Sequence, residues 1–273
     1  MPDSAFKTYE KELDGRSINQ PAAIFQSFTI AKGTPGFEVG TEEGTLRRQA
    51  LSMALDRKLV IDAVFDGTRT PASDFTSPVI DGWSDKLKGA DVLKHNPKKA
   101  KELWEKANKI KPFAGKFTIA YNVDGGHQAW VDAVCNQFKN TLGIEAEGKP
   151  YAQFSELRTE VTDRTMKGGF RTGWQADYPS LQNFLGPLYR TGAGANDSDY
   201  SNADFDALLT KGNGAKNVAE ANKYYQSAQE VLLKELPVFP LWYSNANGGY
   251  AEGVKNVEFG WNSAPLLYNV TKK

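Results

Sequence analysis

The residues that could carry chemistry in this sequence are few and scattered. A metal site needs Cys, His and carboxylate side chains brought together at ligand spacing. The chain has one cysteine, Cys135, and two histidines, His95 and His127, which stand far apart in the sequence. Cys135 follows Val134 on a predicted amphipathic helix, where a small buried side chain is the expected role of a cysteine. We therefore predict neither a metal site nor a catalytic thiol, and a single cysteine excludes an intramolecular disulfide.

The sequence motifs of common enzymes and cofactor sites are also missing. Neither a Gly-x-Ser-x-Gly nucleophile elbow nor a Walker-type phosphate loop occurs. Residues 191–196, Thr-Gly-Ala-Gly-Ala-Asn, lack the third glycine and the preceding apolar strand of a dinucleotide-binding turn, so a flexible loop is predicted there. We predict no cofactor. The hypothesis of a carboxylate pair suited to glycoside hydrolysis stays open, because 33 acidic residues make it inevitable that some of them lie close together.

The composition indicates a folded protein without a charged partner surface. Of the 273 residues, 40% are apolar and 24% are charged, which supports a packed core. Lys and Arg together number 33, as do Asp and Glu, so the chain lacks the basic excess that binds nucleic acid or anionic membranes. No apolar run approaches the roughly 20 residues of a membrane-spanning helix. The six Trp and eleven Tyr are compatible with an aromatic cleft, although most aromatic side chains are core.

The predicted elements alternate between helices and strands, which favours an α/β architecture. The apolar period from residue 46 to 64 predicts one helix, with Glu42 and Glu43 near its start and Gly67 beyond its end. Asn96 and Pro97 predict the N-cap and first residue of a helix that runs to about residue 109. Further helices are predicted around residues 130–142, 154–161 and 218–236. Strands are predicted over residues 24–30, 117–122, 144–147, 169–174 and 238–243.

Four stretches of the sequence match one known family in order and spacing. They are L-R-R-Q-A-L-S-M-A-L-D-R at 46–57, with V-F-D-G at 64–67 and T-P-A at 70–72; H-N-P-K-K-A-K-E-L at 95–103; Y-N at 121–122, with Q-F-K-N-T-L-G-I at 137–144; and W-Q-A-D-Y-P at 174–179, with N-F-L at 183–185. Together they resemble the family 5 extracellular solute-binding proteins, the peptide and nickel binders of bacterial ABC importers. The resemblance runs from about residue 20 to the end of the chain.

The resemblance implies a two-lobed fold that closes on its ligand. Family members carry an N-terminal half that this chain lacks, so we interpret the chain as a fragment. Residues 46–236 are expected to form the second lobe, a type II periplasmic-binding-protein-like unit with a mixed sheet flanked by helices. Residues 1–45 are expected to be a remnant of the first lobe, and residues 237–273 its return segment. We expect both ends to pair as strands outside the core of Trp130 and Phe138, with Pro237 and Pro240 marking an edge or an interdomain crossing.

The resemblance also implies ligand-binding roles for particular residues. In the family's peptide binders, the Asp of the W-x-A-D-Y loop pairs with the α-amino group of the ligand, and the matching residue is Asp177. Such a pair is needed because an unpaired buried charge is costly. Trp174 matches an aromatic residue that flanks the peptide. Arg171 matches a basic position that meets the ligand's carboxylate, which a guanidinium binds through two hydrogen bonds. The looser matches to cleft positions or walls are Gln175, His127, Phe154, Trp242 and Tyr243.

Each of these residues also has a structural interpretation. Asp177 could cap the turn before Tyr178, Trp174 could belong to the core, and Arg171 could form a surface salt bridge. Proteins of this family bind mostly the backbone of the peptide and leave its side chains in hydrated pockets. The sequence of the preferred ligand therefore cannot be predicted from this chain.

The resemblance predicts a binding protein that is not an enzyme. Its expected partners are an oligopeptide ligand and the permease subunits of an ABC transporter, with no nucleic acid. The exposed face around Trp174 and Trp242 would favour self-association of a fragment. Two alternatives stay open: a glycoside hydrolase with an aromatic cleft, and a same-family binder of nickel chelates, haem or oligosaccharides. The first residues lack the basic region, apolar stretch and lipid-acceptor Cys of an export signal. We nevertheless expect an extracellular lipoprotein or a periplasmic protein whose signal lies outside this sequence.

Overall fold

A six-stranded mixed sheet lies at the centre of the fold, in a computed structural model that describes residues 5–272. Its strands are β1 (Ser17–Ile30), β2 (Arg69–Pro71), β3 (Lys116–Asn122), β4 (Glu145–Tyr151), β5 (Gly169–Gln175) and β6 (Val238–Gly249). Their order across the sheet is β2-β6-β1-β5-β3-β4. β3 runs parallel to β4 and β5, whereas β1 is antiparallel to β5 and β6. Two short strands, β7 (Val254–Lys255) and β8 (Thr271–Lys272), pair separately.

Helices cover both faces of this sheet, which confirms the predicted α/β class. They are α1 (Tyr9–Leu13), α2 (Glu42–Ala54), α3 (Arg57–Phe65), α4 (Pro97–Ile110), α5 (Gln128–Leu142), α6 (Phe154–Thr162), α7 (Leu181–Tyr189), α8 (Ala203–Asn213) and α9 (Val218–Glu235). One face packs against α2 to α5 and the other against α7 to α9, while α6 adds a smaller cluster over β3 and β5. The Asn96 side chain accepts a hydrogen bond from the Lys99 N–H at 3.0 Å, and Pro97 is the first helical residue, as predicted.

The prediction of a single helix over residues 46–64 is wrong, because the helix is interrupted between α2 and α3. Leu55 is extended, and the Asp56 carboxylate accepts a hydrogen bond from the Leu59 N–H at 3.0 Å, which starts a new helix. The Gln137 side chain from α5 binds both the backbone N–H and the carbonyl of Asp56, at 2.8 and 3.2 Å. The Asp56 cap and the Gln137 amide therefore interrupt the helix, although the apolar periodicity of the sequence continues through this point.

The terminal strands β1 and β6 lie in the core, which contradicts our expectation that both ends pair as strands outside it. The ring of Phe28 on β1 stacks on Phe239 of β6 with centroids 4.3 Å apart, and it meets Phe138 edge-on at 6.3 Å. Trp242 contacts Trp130 at 5.5 Å. β1 and β6 carry buried side chains toward both faces, and such strands are stable only inside a sheet. The division at residues 45 and 237 between lobes of a longer protein stays a prediction.

β6 is not an edge strand, although it contains Pro240. β1 pairs along one side of it, but β2 pairs on the other side only from Trp242 to Ser244. The missing N–H of Pro240 is tolerated because it lies beyond the end of β2 and beside a register shift in the β1 pairing. The carbonyl of Pro240 accepts a hydrogen bond from Arg57 Nε at 2.7 Å.

The arginines of the first family-like stretch have structural roles. Arg48 donates to the carbonyls of Phe37 and Leu236, each at 2.8 Å, and Arg57 donates to the carbonyls of Pro240 and Leu93. Both guanidinium groups are buried, and burial lowers the pKa of each to about 9. Arg48 connects α2 to the segment between α9 and β6, and Arg57 connects α3 to β6, so this stretch of sequence stabilises the fold and does not form a binding site.

Candidate functional site

One edge of β5 is uncovered along most of its length. β1 pairs with β5 from Gly169 to Gln175, but β3 pairs with it only at Gly169 and Phe170. Within residues 5–272, no strand pairs with the β3-side edge of β5 from residue 171 to 175. Such an edge presents backbone N–H and C=O groups to which another extended chain can bind. We call this segment the open edge of β5.

Asp177 lies just beyond the C-terminal end of the open edge, and its side chain is exposed. Its backbone N–H donates to Asn183 Oδ1 at 2.8 Å, and its Oδ2 accepts from Asn183 Nδ2 at 3.3 Å. Trp174 Nε1 donates to the same Asn183 Oδ1 at 3.0 Å. Asn183 is buried at the start of α7, so it holds the indole and the carboxylate in one arrangement. Sequence reasoning missed this role, although the motif quoted Asn183 six residues after Asp177.

Arg171 lies at the other end of the open edge. Its Nε donates to Asn122 Oδ1 at 2.9 Å, and its guanidinium lies over the ring of Phe154 at 5.0 Å. The buried Asn122 also donates to Asp124 Oδ1 at 2.5 Å. Burial lowers the pKa of Arg171, and the nearby Asp124 carboxylate acts in the opposite direction. Arg171 and Asp177 therefore mark opposite ends of the open edge.

His127 stands next to Arg171, immediately before α5. Its Nδ1 accepts a hydrogen bond from Trp130 Nε1 at 3.0 Å, and the two rings meet edge-on. Because an indole N–H can only donate, Nδ1 of His127 must be unprotonated, so the neutral imidazole carries its proton on Nε2. Nε2 faces Gly125, where a Cβ atom would lie 2.7 Å from it. His127 therefore presents a fixed N–H donor, and only glycine at position 125 leaves room for it.

His127 is expected to stay neutral across the physiological range. Burial, reinforced by the charge of Arg171, lowers its pKa to about 4, and Asp124 opposes this only in part. A histidine whose folded pKa lies below its unfolded value near 6.5 contributes stability above pH 6.5, and this contribution is lost as pH falls through 4. Nitrogen chemical shifts of labelled histidine should show Nε2 protonated and Nδ1 unprotonated down to about pH 5. A midpoint above pH 6 would contradict this prediction.

The remaining predicted site residues have different surroundings. The exposed Gln175 donates from Nε2 to the carbonyl of Asn262 at 2.7 Å. Trp242 is buried against Phe65 and Trp130, and it borders a cavity of about 70 Å³ that His127 also lines. Its part in ligand binding stays a prediction.

The cleft-wall role predicted for Tyr243 is contradicted. The side chain is 2% exposed, and its hydroxyl donates to the buried Asp74 at 2.6 Å. Neighbouring residues on a strand point to opposite faces of the sheet, so Tyr243 packs with α7 to α9 while Trp242 packs with α2 to α5.

Metal and thiol chemistry have no site in the part of the chain that the structure describes. No group of three His, Cys, Asp or Glu side chains in residues 5–272 is arranged to hold a metal ion. Burial raises the pKa of the Cys135 thiol to about 12, which disfavours a nucleophilic thiolate. In the same residues, no helix has both the length and the apolar character needed to cross a membrane.

Comparison with known proteins assigns the class to which this fold and site correspond. The family described as bacterial extracellular solute-binding proteins, family 5 Middle, matches residues 45–196. The chain belongs to this family. Its members are binding proteins, as the four sequence stretches predicted.

Individual relatives cover most of this chain. It is 27% identical over 260 residues to the periplasmic murein peptide-binding protein MppA of Escherichia coli, covering 91% of this chain and 45% of MppA. It is 26% identical over 216 residues to the oligopeptide-binding protein OppA of Bacillus subtilis, covering 77% and 39%. It is 27% identical over 227 residues to heme-binding protein A of Haemophilus influenzae, covering 81% and 40%. The chain thus spans less than half the length of these relatives.

Solved structures confirm the predicted fold. The E. coli murein tripeptide binding protein MppA matches with a TM-score of 0.81 at 20% identity, over 100% of this chain and 52% of that one. OppA of Burkholderia pseudomallei matches with a TM-score of 0.81 at 19% identity, over 96% and 51%. At this level of identity the likeness establishes the mixed α/β fold.

Proposed function

We propose that the protein captures oligopeptides outside the cytoplasm and delivers them to the permease of an ABC importer. The observation that carries the proposal is the open edge of β5, with the Asp177 carboxylate beyond one end and the donors of Arg171 and His127 at the other. A peptide that pairs antiparallel with β5 brings its amino group to Asp177 and its carboxylate to Arg171. Backbone pairing supplies affinity that is independent of the peptide's sequence.

The length of the open edge sets the length of the ligand. From residue 171 to 177 there are six residue steps, which at about 3.3 Å each span roughly 20 Å of extended chain. The side chains of Arg171 and Asp177 extend toward the ligand and shorten the distance that it must cover. We therefore expect peptides of about three to five residues with both termini free.

The donors near Arg171 suit a carboxylate. His127 presents Nε2–H because Trp130 holds Nδ1, and the guanidinium of Arg171 stays cationic beside it. Both groups match an oxygen acceptor and oppose an ammonium group. The exposed apolar side chains of Val123, Phe154 and Tyr178, which lie near the two ends of the open edge, add surface that a ligand can cover.

The names of the relatives support peptides and also define the competing ligands. MppA and OppA are named for peptides, whereas heme-binding protein A is named for haem. A ligand without an amino group offers the Asp177 carboxylate no counter-charge, which favours peptides. Anchoring of the protein to the outside of the membrane as a lipoprotein is part of the proposal.

Mass spectrometry of the ligand that co-purifies with the protein tests the ligand class directly. Calorimetric titration with tetra-alanine should give measurable affinity, and N-acetyl and C-amide derivatives should each bind about tenfold or more weakly, since each removes one terminal charge. Haem, a nickel chelate and a maltooligosaccharide form the comparison arms. Binding of one of these, with none of tetra-alanine, would reject the proposal.

A further inference from the structure

A second cavity lies on the α7 face of the sheet, beside the open edge. It has a volume of about 110 Å³ and is lined by Ser27, Thr29, Arg158, Thr172, Trp174 and Asp197, together with apolar side chains. We call it the β5 cavity. Three hydroxyl groups line the cavity close to one another: Thr172 Oγ1 lies 2.8 Å from Ser27 Oγ and 3.0 Å from Thr29 Oγ1. These groups can both donate and accept hydrogen bonds.

The two charged side chains of the β5 cavity, Arg158 and Asp197, pair with one another, and Arg164 Nη1 also lies 3.9 Å from Asp197 Oδ1. Arg158 Nη1 and Nη2 donate to Asp197 Oδ2 and Oδ1, each at 2.6 Å, and Arg158 Nε donates to Thr162 at 3.1 Å. The hydrogen bonds to Asp197 raise the pKa of Arg158. A bidentate pair of this geometry is strongly coupled and nearly neutral as a unit. A charged group that enters the cavity would have to displace one partner of the pair.

The position of the β5 cavity connects it to the proposed ligand. Thr172, Gly173 and Trp174 are consecutive residues of the open edge, and all three line the cavity. The side chains of an added strand alternate between the two faces of the sheet. Every second side chain of a peptide bound along β5 therefore points toward the face on which this cavity lies.

We propose that the Arg158–Asp197 pair makes the β5 cavity selective for neutral, hydrogen-bonding side chains of the ligand, an inference that rests on the proposed function. Hydroxyl and amide side chains of the ligand can hydrogen-bond to the three hydroxyl groups that line the cavity. An acidic side chain competes with Asp197 for Arg158, and a basic side chain competes with Arg158 for Asp197. The pair thus excludes both signs of charge.

The test measures affinities for tetrapeptides with one varied residue, Ala-Xaa-Ala-Ala and Ala-Ala-Xaa-Ala, where Xaa is Ser, Glu or Lys. The wild-type protein should bind Ser at least about tenfold more tightly than Glu or Lys in one of the two series. Asp197→Asn releases the guanidinium and should raise the affinity for Glu about tenfold. Arg158→Gln removes the bidentate partner of the carboxylate, which keeps only Arg164 at 3.9 Å, and should instead raise the affinity for Lys.

Matched controls lie on a distant ion pair. Lys116 Nζ donates to Glu147 Oε2 at 2.8 Å, and neither residue lines the β5 cavity, so Lys116→Gln and Glu147→Gln should leave the preferences unchanged. Loosening of the structure would affect both Asp197→Asn and Arg158→Gln in one direction, whereas the proposal requires opposite shifts. Unchanged ratios of Ser, Glu and Lys in both variants, with binding retained, would overturn this inference alone. Failure of the wild-type protein to bind any peptide would overturn the proposed function as well.

Discussion

Replacement of Asp177 by Asn should weaken the binding of a peptide with a free amino terminus by about 2–5 kcal/mol, because it removes the counter-charge of the ligand's ammonium from a pair that the bound peptide shields from water. The substitution keeps the shape of the side chain, and the backbone N–H that donates to Asn183 is unaffected. Calorimetric titration of both proteins with tetra-alanine measures the difference.

A double-mutant cycle with N-acetyl-tetra-alanine isolates the charge pair. Acetylation removes the ammonium, so the wild-type protein should lose affinity for the acetylated peptide while the Asp177→Asn variant loses little more. Asp163→Asn, an exposed aspartate at the end of α6, is the matched control and should bind like the wild-type protein. Equal affinity of the wild-type and Asp177→Asn proteins for tetra-alanine would eliminate the assignment of Asp177.

Tyr243→Phe should lower the free energy of unfolding at pH 7 by about 3–5 kcal/mol. The Tyr243 hydroxyl donates to Asp74 Oδ1 at 2.6 Å and accepts from the backbone N–H groups of Ser73 and Asp74, at 3.0 and 2.9 Å. Phenylalanine keeps the packing of the ring but leaves a fully buried carboxylate short of a donor and two N–H groups without an acceptor. Urea unfolding followed by circular dichroism measures the loss.

Tyr268→Phe is the control for this substitution, because Tyr268 is 81% exposed and should change stability by less than about 0.5 kcal/mol. A loss below about 1 kcal/mol for Tyr243→Phe would show that solvent or a rearranged loop satisfies these groups.

The stability of the protein should depend on pH through Asp74. Burial raises the pKa of this carboxyl group from 3.8 to about 6, against hydrogen bonds from Tyr243 and Thr76 that lower it. The folded protein therefore binds more protons than the unfolded chain between pH 3.8 and 6. This contribution to stability is present below pH 3.8 and is lost as pH rises through about 6.

Between pH 4 and 6, His127 makes the free energy of unfolding rise with pH, whereas Asp74 makes it fall. The useful measurement is therefore the difference in this free energy between the wild-type protein and Asp74→Asn. The stability of the wild-type protein relative to the variant should fall from pH 4 to pH 7. A difference that stays constant across this range would contradict the raised pKa of Asp74.

Local sequence determined most elements of this protein and one end of its candidate site. The cap at Asn96 and the helix that ends at Gly143 depend on contacts within a few residues, so their residue types predict them. Asp177 and Trp174 were found together because a single stretch of chain carries both. Asn183, which joins them, is only six residues further on.

The tertiary structure alone decided which distant segments meet. Nothing local to residues 17–30 or 238–249 indicates that they form the middle of the sheet, since the partners of a strand lie up to about two hundred residues away. The position of Tyr243 has the same cause: it pairs with Asp74, 169 residues away, on the face of the sheet away from Trp242. The arrangement of Arg171, Asn122 and His127, and the pairing of Arg158 with Asp197, likewise join separate elements. Capping and periodicity act over one helical turn, whereas strand register and burial depend on contacts that only the folded chain makes.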